Sequence, residues 1–225
     1  MASKPVLYYS PRSPPSRAVL LTAAALGVDL DLRPVNVKAG ENRTPEFLKL
    51  NPQHTIPVLD DNGTVVSDSH VISAYLADKY GLDERLYPKS PAERRVVDAR
   101  LYYDCGHVFP RVRFIVEPII YLGVGEIPED RVSYMERAYD GLEHCLAAGP
   151  YLTGENLTIA DLCTIASVSS GAAFAPIDAE KFPKLTEWVE RLQALPYYQK
   201  NNQEGLDLLV KLIKDLIAER QQAKA

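Results

Sequence analysis

The apolar run Val6-Leu7-Tyr8-Tyr9 breaks at Ser10-Pro11-Arg12-Ser13-Pro14-Pro15-Ser16-Arg17, and a helical pattern begins at once. Dithiol redox proteins place Cys-x-x-Cys at such a junction. Here the two positions are Ser13 and Ser16, which cannot close a disulfide. Pro14 and Pro15 have no N–H and suit a first helical turn, where donors lack partners anyway. Ser13 is then the N-cap, its oxygen accepting from the Ser16 N–H while its own proton points outward. A hydroxyl at the positive end of a helix is a donor for an anion; the same residues also serve a plain capped helix.

Two further stretches carry binding chemistry. In Asn51-Pro52-Gln53-His54-Thr55-Ile56-Pro57-Val58-Leu59, a proline directly before a strand leaves the preceding backbone unpaired. The N–H and C=O of Ile56 are then available to an extended peptide ligand. His54 is either a ligand contact or a loop histidine bonded to backbone. In Asp68-Ser69-His70, at the start of a helix, the Ser69 hydroxyl and helix N–H groups suit a carboxylate and Asp68 suits an ammonium. Together they would hold the α-amino-acid end of a ligand, or merely cap the helix.

These residues need elements to place them. Val6–Tyr9 reads as a strand, Pro14 to Leu26 as a helix ended by Gly27, and Leu30 to Val37 as a second strand. Thr44 caps a short helix opening at Pro45. Ile56 to Leu59 and Thr64 to Val66 form a hairpin across Asp61-Asn62-Gly63, and Ser69 to Tyr80 is a helix. Beyond Gly81 nearly every pattern is helical. Thr158-Ile159-Ala160-Asp161 is a capping-box variant opening an apolar helix, Ile159 to Val168. Pro183 to Leu195 and Leu206 to Ile217 are amphipathic helices. The expectation is an α/β domain over residues 1–81, a linker over 82–91 and an all-helical domain over 92–225.

Of the 225 residues 46% are apolar and 24% charged, as in ordinary globular proteins. The net charge of −5 argues against nucleic acid or an anionic membrane surface as partner. No run reaches the ~18 apolar residues of a membrane helix. Met1-Ala2-Ser3-Lys4-Pro5 does not lead into a signal peptide's apolar region. Cys105, Cys145 and Cys163 are widely spaced and odd in number, which fits reduced thiols in the cytoplasm and no metal site.

The conjunction of Ser-Pro-Pro-x-Arg-Ala-Val after the first strand, Asn-Pro-Gln-His-Thr-Ile-Pro-Val-Leu, Asp-Ser-His-x-Ile, Leu-Thr-Ile-Ala-Asp and Leu195-Pro196-Tyr197-Tyr198 resembles the glutathione transferases, most closely the insect epsilon class. The resemblance implies a thioredoxin-like N-terminal domain of order βαβαββα with cis Pro57, and an all-α C-terminal domain. It further implies a homodimer with one glutathione site per subunit and glutathione as co-substrate. Ser13 matches the catalytic serine and Ile56 the residue whose backbone pairs with the cysteinyl part of glutathione. Asp68 and Ser69, with the neighbouring His70, match the γ-glutamyl contacts; His54, with Thr55 and Pro57, lies in the loop at the glycyl end. Asn42 stands where relatives often carry a histidine near the glycine carboxylate. Thr158 and Asp161 match a fold-stabilising capping box.

The second substrate, a small hydrophobic electrophile, is expected between the domains. Arg12, Pro14, Phe109, Val112, Val116, Ile120 and Tyr121 are its candidates, although the spacing of the four apolar residues 109–120 also describes plain helix core. Arg113 either steers anions toward the glutathione site or pairs with Glu117 at i+4. Pro110 would clash with the carbonyl of Gly106 and kink this helix. The implied activity is conjugation of glutathione to xenobiotics, insecticides among them, with dehydrochlorination or hydroperoxide reduction as side reactions. The rival is a non-catalytic protein that sequesters ligands on the same fold.

Overall fold

The computed structural model describes residues 3–223; Met1 and Ala2, read above for a targeting segment, and the last two positions of the helical domain lie outside them. A four-stranded mixed sheet comes first, from β1 (Val6–Tyr9), β2 (Asp31–Pro34), β3 (Val58–Asp61) and β4 (Thr64–Ser67), in spatial order β2-β1-β3-β4. β1 and β2 run parallel, joined through α1 (Pro14–Leu26); β3 and β4 are antiparallel additions. The Asn62-Gly63 turn between them takes positive φ at both residues (54° and 92°), which is why an Asn-Gly pair stands there.

Alternation along the strands sorts two cores. Leu7 and Leu59 face α1 and α3 (Ser69–Tyr80), packing on Val19, Ala23, Ile72 and Leu76. Tyr8 and Val58 face α2 (Pro45–Leu50), packing on Val35 and Phe47. α1 begins at Ser13 and stops at Gly27, whose φ of 68° a side chain would resist.

The remainder is helical: α4 (Pro91–Tyr103), α5 (Phe109–Tyr121), α6 (Glu129–Cys145), α7 (Ile159–Ala172), α8 (Pro183–Gln193) and α9 (Glu204–Gln222). α7 is buried along almost its whole length. Its start is the capping box expected from Thr158 and Asp161. The buried Asp161 carboxylate accepts from the Thr158 N–H (2.9 Å), the Leu152 N–H (2.8 Å) and Trp188 Nε1 (2.9 Å). Ala18 of α1 meets Val97, Leu101, Ile159, Ala160, Cys163 and Ala166 of the helical part in one apolar cluster.

Four expectations change. β2 is shorter than residues 30–37, because the chain turns after Val35 with Asn36 Oδ1 accepting from the Ala39 N–H. β3 starts at Val58, leaving Ile56 and Pro57 ahead of the strand. α9 runs well past Leu206–Ile217 at both ends. Pro110 does not meet the Gly106 carbonyl in a regular helix. Residues Asp104–Val108 form a π turn, Phe109 N–H reaches back to the Asp104 carbonyl, and Pro110 falls in the first turn of α5.

Candidate active site

The sheet register brings the three polar stretches together. Tyr8 pairs with Val58 and Val58 with Ser67. The turn after β1, the loop before β3 and the residue after β4 therefore share one end of the sheet. Ser13, Ile56 and Asp68 enter from these three segments.

Ser13 has the extended backbone of an N-cap (φ −79°, ψ 119°) and accepts from the Ser16 N–H at 3.4 Å. Its own N–H donates to Ser10 O (3.0 Å) and its carbonyl accepts from Arg17 N (3.1 Å). Ser16 is buried, and its Oγ accepts from the Ser10 N–H, bracing the turn. Since Pro14 and Pro15 carry no N–H, this helix start offers no spare backbone donor. The Ser13 hydroxyl proton, unpaired among the described residues, is the donor an anion meets here. Arg12 beside it is exposed and Pro14 half-buried.

The loop before β3 is held by two buried asparagines. Asn51 Oδ1 accepts from the Gln53 N–H (3.1 Å), and its Nδ2 donates to the Thr55 carbonyl (3.0 Å) and Oγ1 (2.9 Å). Asn42 Nδ2 donates to the His54 carbonyl at 2.6 Å. His54 sits at φ 49°, and the Ile56–Pro57 peptide is cis. Among the described residues neither the N–H nor the C=O of Ile56 has a partner. Asn42 thus acts on the loop backbone, a role sequence reasoning did not see, and Asn51 was likewise missed as the loop's brace; Asn-Pro was its only signal.

Asp68 caps α3 from an unusual backbone conformation (φ 72°, ψ 126°), the kind of strain that collects at functional sites. Its Oδ1 accepts from the His70 N–H (2.9 Å) and the Val71 N–H (3.2 Å), while Oδ2 has no partner among the described residues. The His70 ring interaction and these backbone bonds hold its carboxyl below the usual range against the opposing effect of burial. Ser69 is buried, with Oγ 3.5 Å from His70 Nδ1. His70 turns its Nε2 to Asp104 Oδ2 at 2.9 Å. Burial disfavours the imidazolium, but Asp104 and Asp68 outweigh it and push His70 up to about 9. Asp104, 2% exposed at the π turn, is a site residue that sequence reasoning missed.

The electrophile candidates divide. Val112 and Val116 are 1% and 7% exposed and belong to the helical core, so the core alternative describes them. Phe109 and Ile120 are half-buried against that core, and Tyr121 is exposed. Arg113 is exposed and paired with Glu117 at 2.6 Å, the alternative to an anion-steering role.

The glutathione S-transferase N-terminal domain family matches residues 7–85, and the corresponding C-terminal domain family matches residues 128–196. Glutathione S-transferase 1 of Manduca sexta is 40% identical over 95% of this chain and 97% of its own. Among solved structures, an epsilon-class glutathione S-transferase from the housefly, Musca domestica, superposes with a TM-score of 0.92 at 43% identity, over 95% of this chain and 98% of that one. A glutathione transferase homologue from Drosophila mojavensis with bound glutathione gives 0.91 at 44% identity, over 96% and 98%.

Proposed function

The chain belongs to the glutathione S-transferase family, and on that premise we propose that Ser13 donates its hydroxyl proton to the sulfur of bound glutathione and keeps it a thiolate. The enzyme is a glutathione transferase and its reaction is glutathione conjugation. The bound thiol releases its proton to solvent and the thiolate attacks an electrophilic carbon. A thioether forms as the carbon's leaving group departs with the bonding electrons, or, at a polarised double bond, as the resulting carbanion takes a proton from solvent.

The magnitudes suffice. A free thiol has a pKa near ~8.5, so bringing it to about 7 requires roughly 2 kcal/mol. A hydrogen bond to a charged group contributes about 1.5–3 kcal/mol, and a helix N-terminus about 0.3–1. One hydroxyl, fixed by the Ser16 N–H on its oxygen, covers the difference.

In the same reading the cysteinyl backbone of glutathione pairs with the N–H and C=O of Ile56. The γ-glutamyl ammonium meets the free oxygen of Asp68, and its carboxylate meets Ser69 beside the His70 cation. The glycyl end lies toward His54 and Thr55. Residues 1–81 form the glutathione unit, 82–91 a linker and 92–225 the helical unit. There Phe109, Ile120 and Tyr121, with Arg12 and Pro14 across from them, receive small hydrophobic electrophiles. A cytoplasmic homodimer with one such site per subunit completes the proposal.

The observation that carries it is the register Tyr8–Val58–Ser67, which gathers a free hydroxyl, an unpaired backbone pair and a free carboxylate oxygen at one sheet end. Ultraviolet titration of the glutathione-bound enzyme tests it. Ser13→Ala raises the bound thiol's pKa by about one to two units, and its pH–rate profile moves up accordingly. Superimposable titrations of the two proteins would remove Ser13 from the reaction.

A further inference from the structure

We propose that Asp68, His70 and Cys105 form a binding site for a divalent cation of the zinc class. The carboxylate, imidazole and thiol atoms of these three residues all lie within 4.8 Å of one another. Around a tetrahedral zinc with bonds of about 2.0–2.3 Å, ligand atoms stand roughly 3.5 Å apart. His70 Nδ1 and Asp68 Oδ1 are already at 3.5 Å. Cys105 is exposed at the π turn, and its Sγ lies within 4.8 Å of the other two ligand atoms.

A second observation points the same way. Metal-bound histidines usually give their other ring N–H to a carboxylate, which fixes the tautomer and aims the free nitrogen at the metal. Asp104 does this for His70: its Oδ2 is 2.9 Å from Nε2, and its Oδ1 is buried with no partner among the described residues. Asp104 is 2% exposed and cannot swing away to solvent. The Nδ1 edge of His70 therefore faces Asp68. The metal enters by displacing the Nδ1 proton of the imidazolium and the thiol proton of Cys105, so binding releases two protons. One soft sulfur, one imidazole and one carboxylate suit zinc over magnesium or calcium, and three protein ligands leave a fourth position open. Cysteine spacing along the sequence could not reveal this site, since its ligands come from α3 and from a turn 35 residues later.

The site takes Oδ1 of Asp68 while the proposed γ-glutamyl ammonium takes its free oxygen, so two cations compete for one carboxylate and glutathione lowers the affinity for the metal. That consequence, unlike the site itself, rests on the proposed function. Cobalt(II) is the probe, added to the full chain without glutathione. Thiolate-to-cobalt charge-transfer absorption is expected to saturate at one equivalent per chain and to be displaced by zinc. It disappears in Cys105→Ser, whose unchanged melting temperature shows that the surface substitution spares the fold. It persists in Cys145→Ser and weakens about 10–100-fold in affinity in Asp104→Asn. No charge-transfer band in the parent protein, or one that survives Cys105→Ser, overturns the proposal. S-methylglutathione, which has no thiol to chelate the metal, separates the two readings. If it binds the enzyme yet leaves the cobalt signal unchanged, Asp68 is no glutathione contact, while the cation site stands.

Discussion

Gly205, at the start of α9, lies against the carbonyl of Pro11 in the turn that presents Ser13. A Cβ at position 205 would overlap that oxygen and come within 2.7 Å of Arg17 Cδ. The C-terminal helix thus supports the serine turn from beneath. Gly205→Ala should cost about 1–3 kcal/mol, as overpacking does, and should also raise the pKa of bound glutathione by displacing the turn. Thermal unfolding and thiolate titration measure the two effects separately. A variant that loses stability but titrates like the parent would show that α9 holds the fold without positioning Ser13.

Arg17 makes the same junction electrostatically. Arg17 is 1% exposed, and among the described residues its guanidinium has only neutral partners: Asn202 Oδ1 and Ser170 Oγ, each at 2.5 Å, and the Asn202 carbonyl at 3.4 Å. Burial lowers Arg17 to about 10, which still leaves it charged at neutral pH. Asn202→Ala is expected to destabilise by about 1.5–3 kcal/mol, because a buried cation loses an acceptor. Asn202→Asp keeps the acceptor and adds a counter-charge, so it should recover most of that loss. Urea midpoints of the two variants decide the matter, and equal losses in both would refute the electrostatic account.

Local chemistry was legible in the sequence, and long-range pairing was not. The Ser13 cap, the Gly27 stop, the Asn62-Gly63 turn and the Thr158–Asp161 box each depend on residues within a few positions of one another. Arg17–Asn202 and His70–Asp104 join residues 185 and 34 positions apart, and no short pattern encodes either. The π turn over Asp104–Val108 puts Pro110 in a first helical turn, where the expected clash with the Gly106 carbonyl does not arise. For Val112 and Val116 the obstacle is different: a helix stripe facing a core and one facing a cleft have the same period, and only burial separates them.

The Asn42 side chain, 5% exposed, ties the short 3-10 turn Glu41–Arg43 to the His54 carbonyl, while its Oδ1 has no partner among the described residues. Removing that single bond loosens the loop that displays Ile56, well away from the sulfur. Asn42→Ala should raise KM for glutathione about 5-fold, equivalent to ~1 kcal/mol, and leave kcat unchanged. Steady-state kinetics with varied glutathione tests this. A fall in kcat at constant KM would mean that the loop acts on the reacting sulfur and not on binding.

Asp61 fixes α3, and with it the Asp68 cap, to the sheet. Its side chain is fully buried at the end of β3, where Oδ2 accepts from Tyr75 Oη (2.8 Å), Lys79 Nζ (2.5 Å) and Tyr80 Oη (2.8 Å), and Oδ1 accepts from Asn62 Nδ2 (2.9 Å). Burial alone would raise this carboxyl, but the bonds from Lys79, Tyr80, Asn62 and Tyr75 outweigh it and hold the group far below the usual range. A folded-state pKa below the unfolded one gives stability that is complete above about pH 4 and lost as the pH falls through the folded value. Asp61→Asn should therefore destabilise at neutral pH by about 3–5 kcal/mol, as broken buried pairs do. The gap to the parent should narrow once the pH drops below about 4. Denaturant midpoints of both proteins across that range give the answer. If the gap stays constant into strong acid, the carboxylate's charge plays no part in anchoring α3.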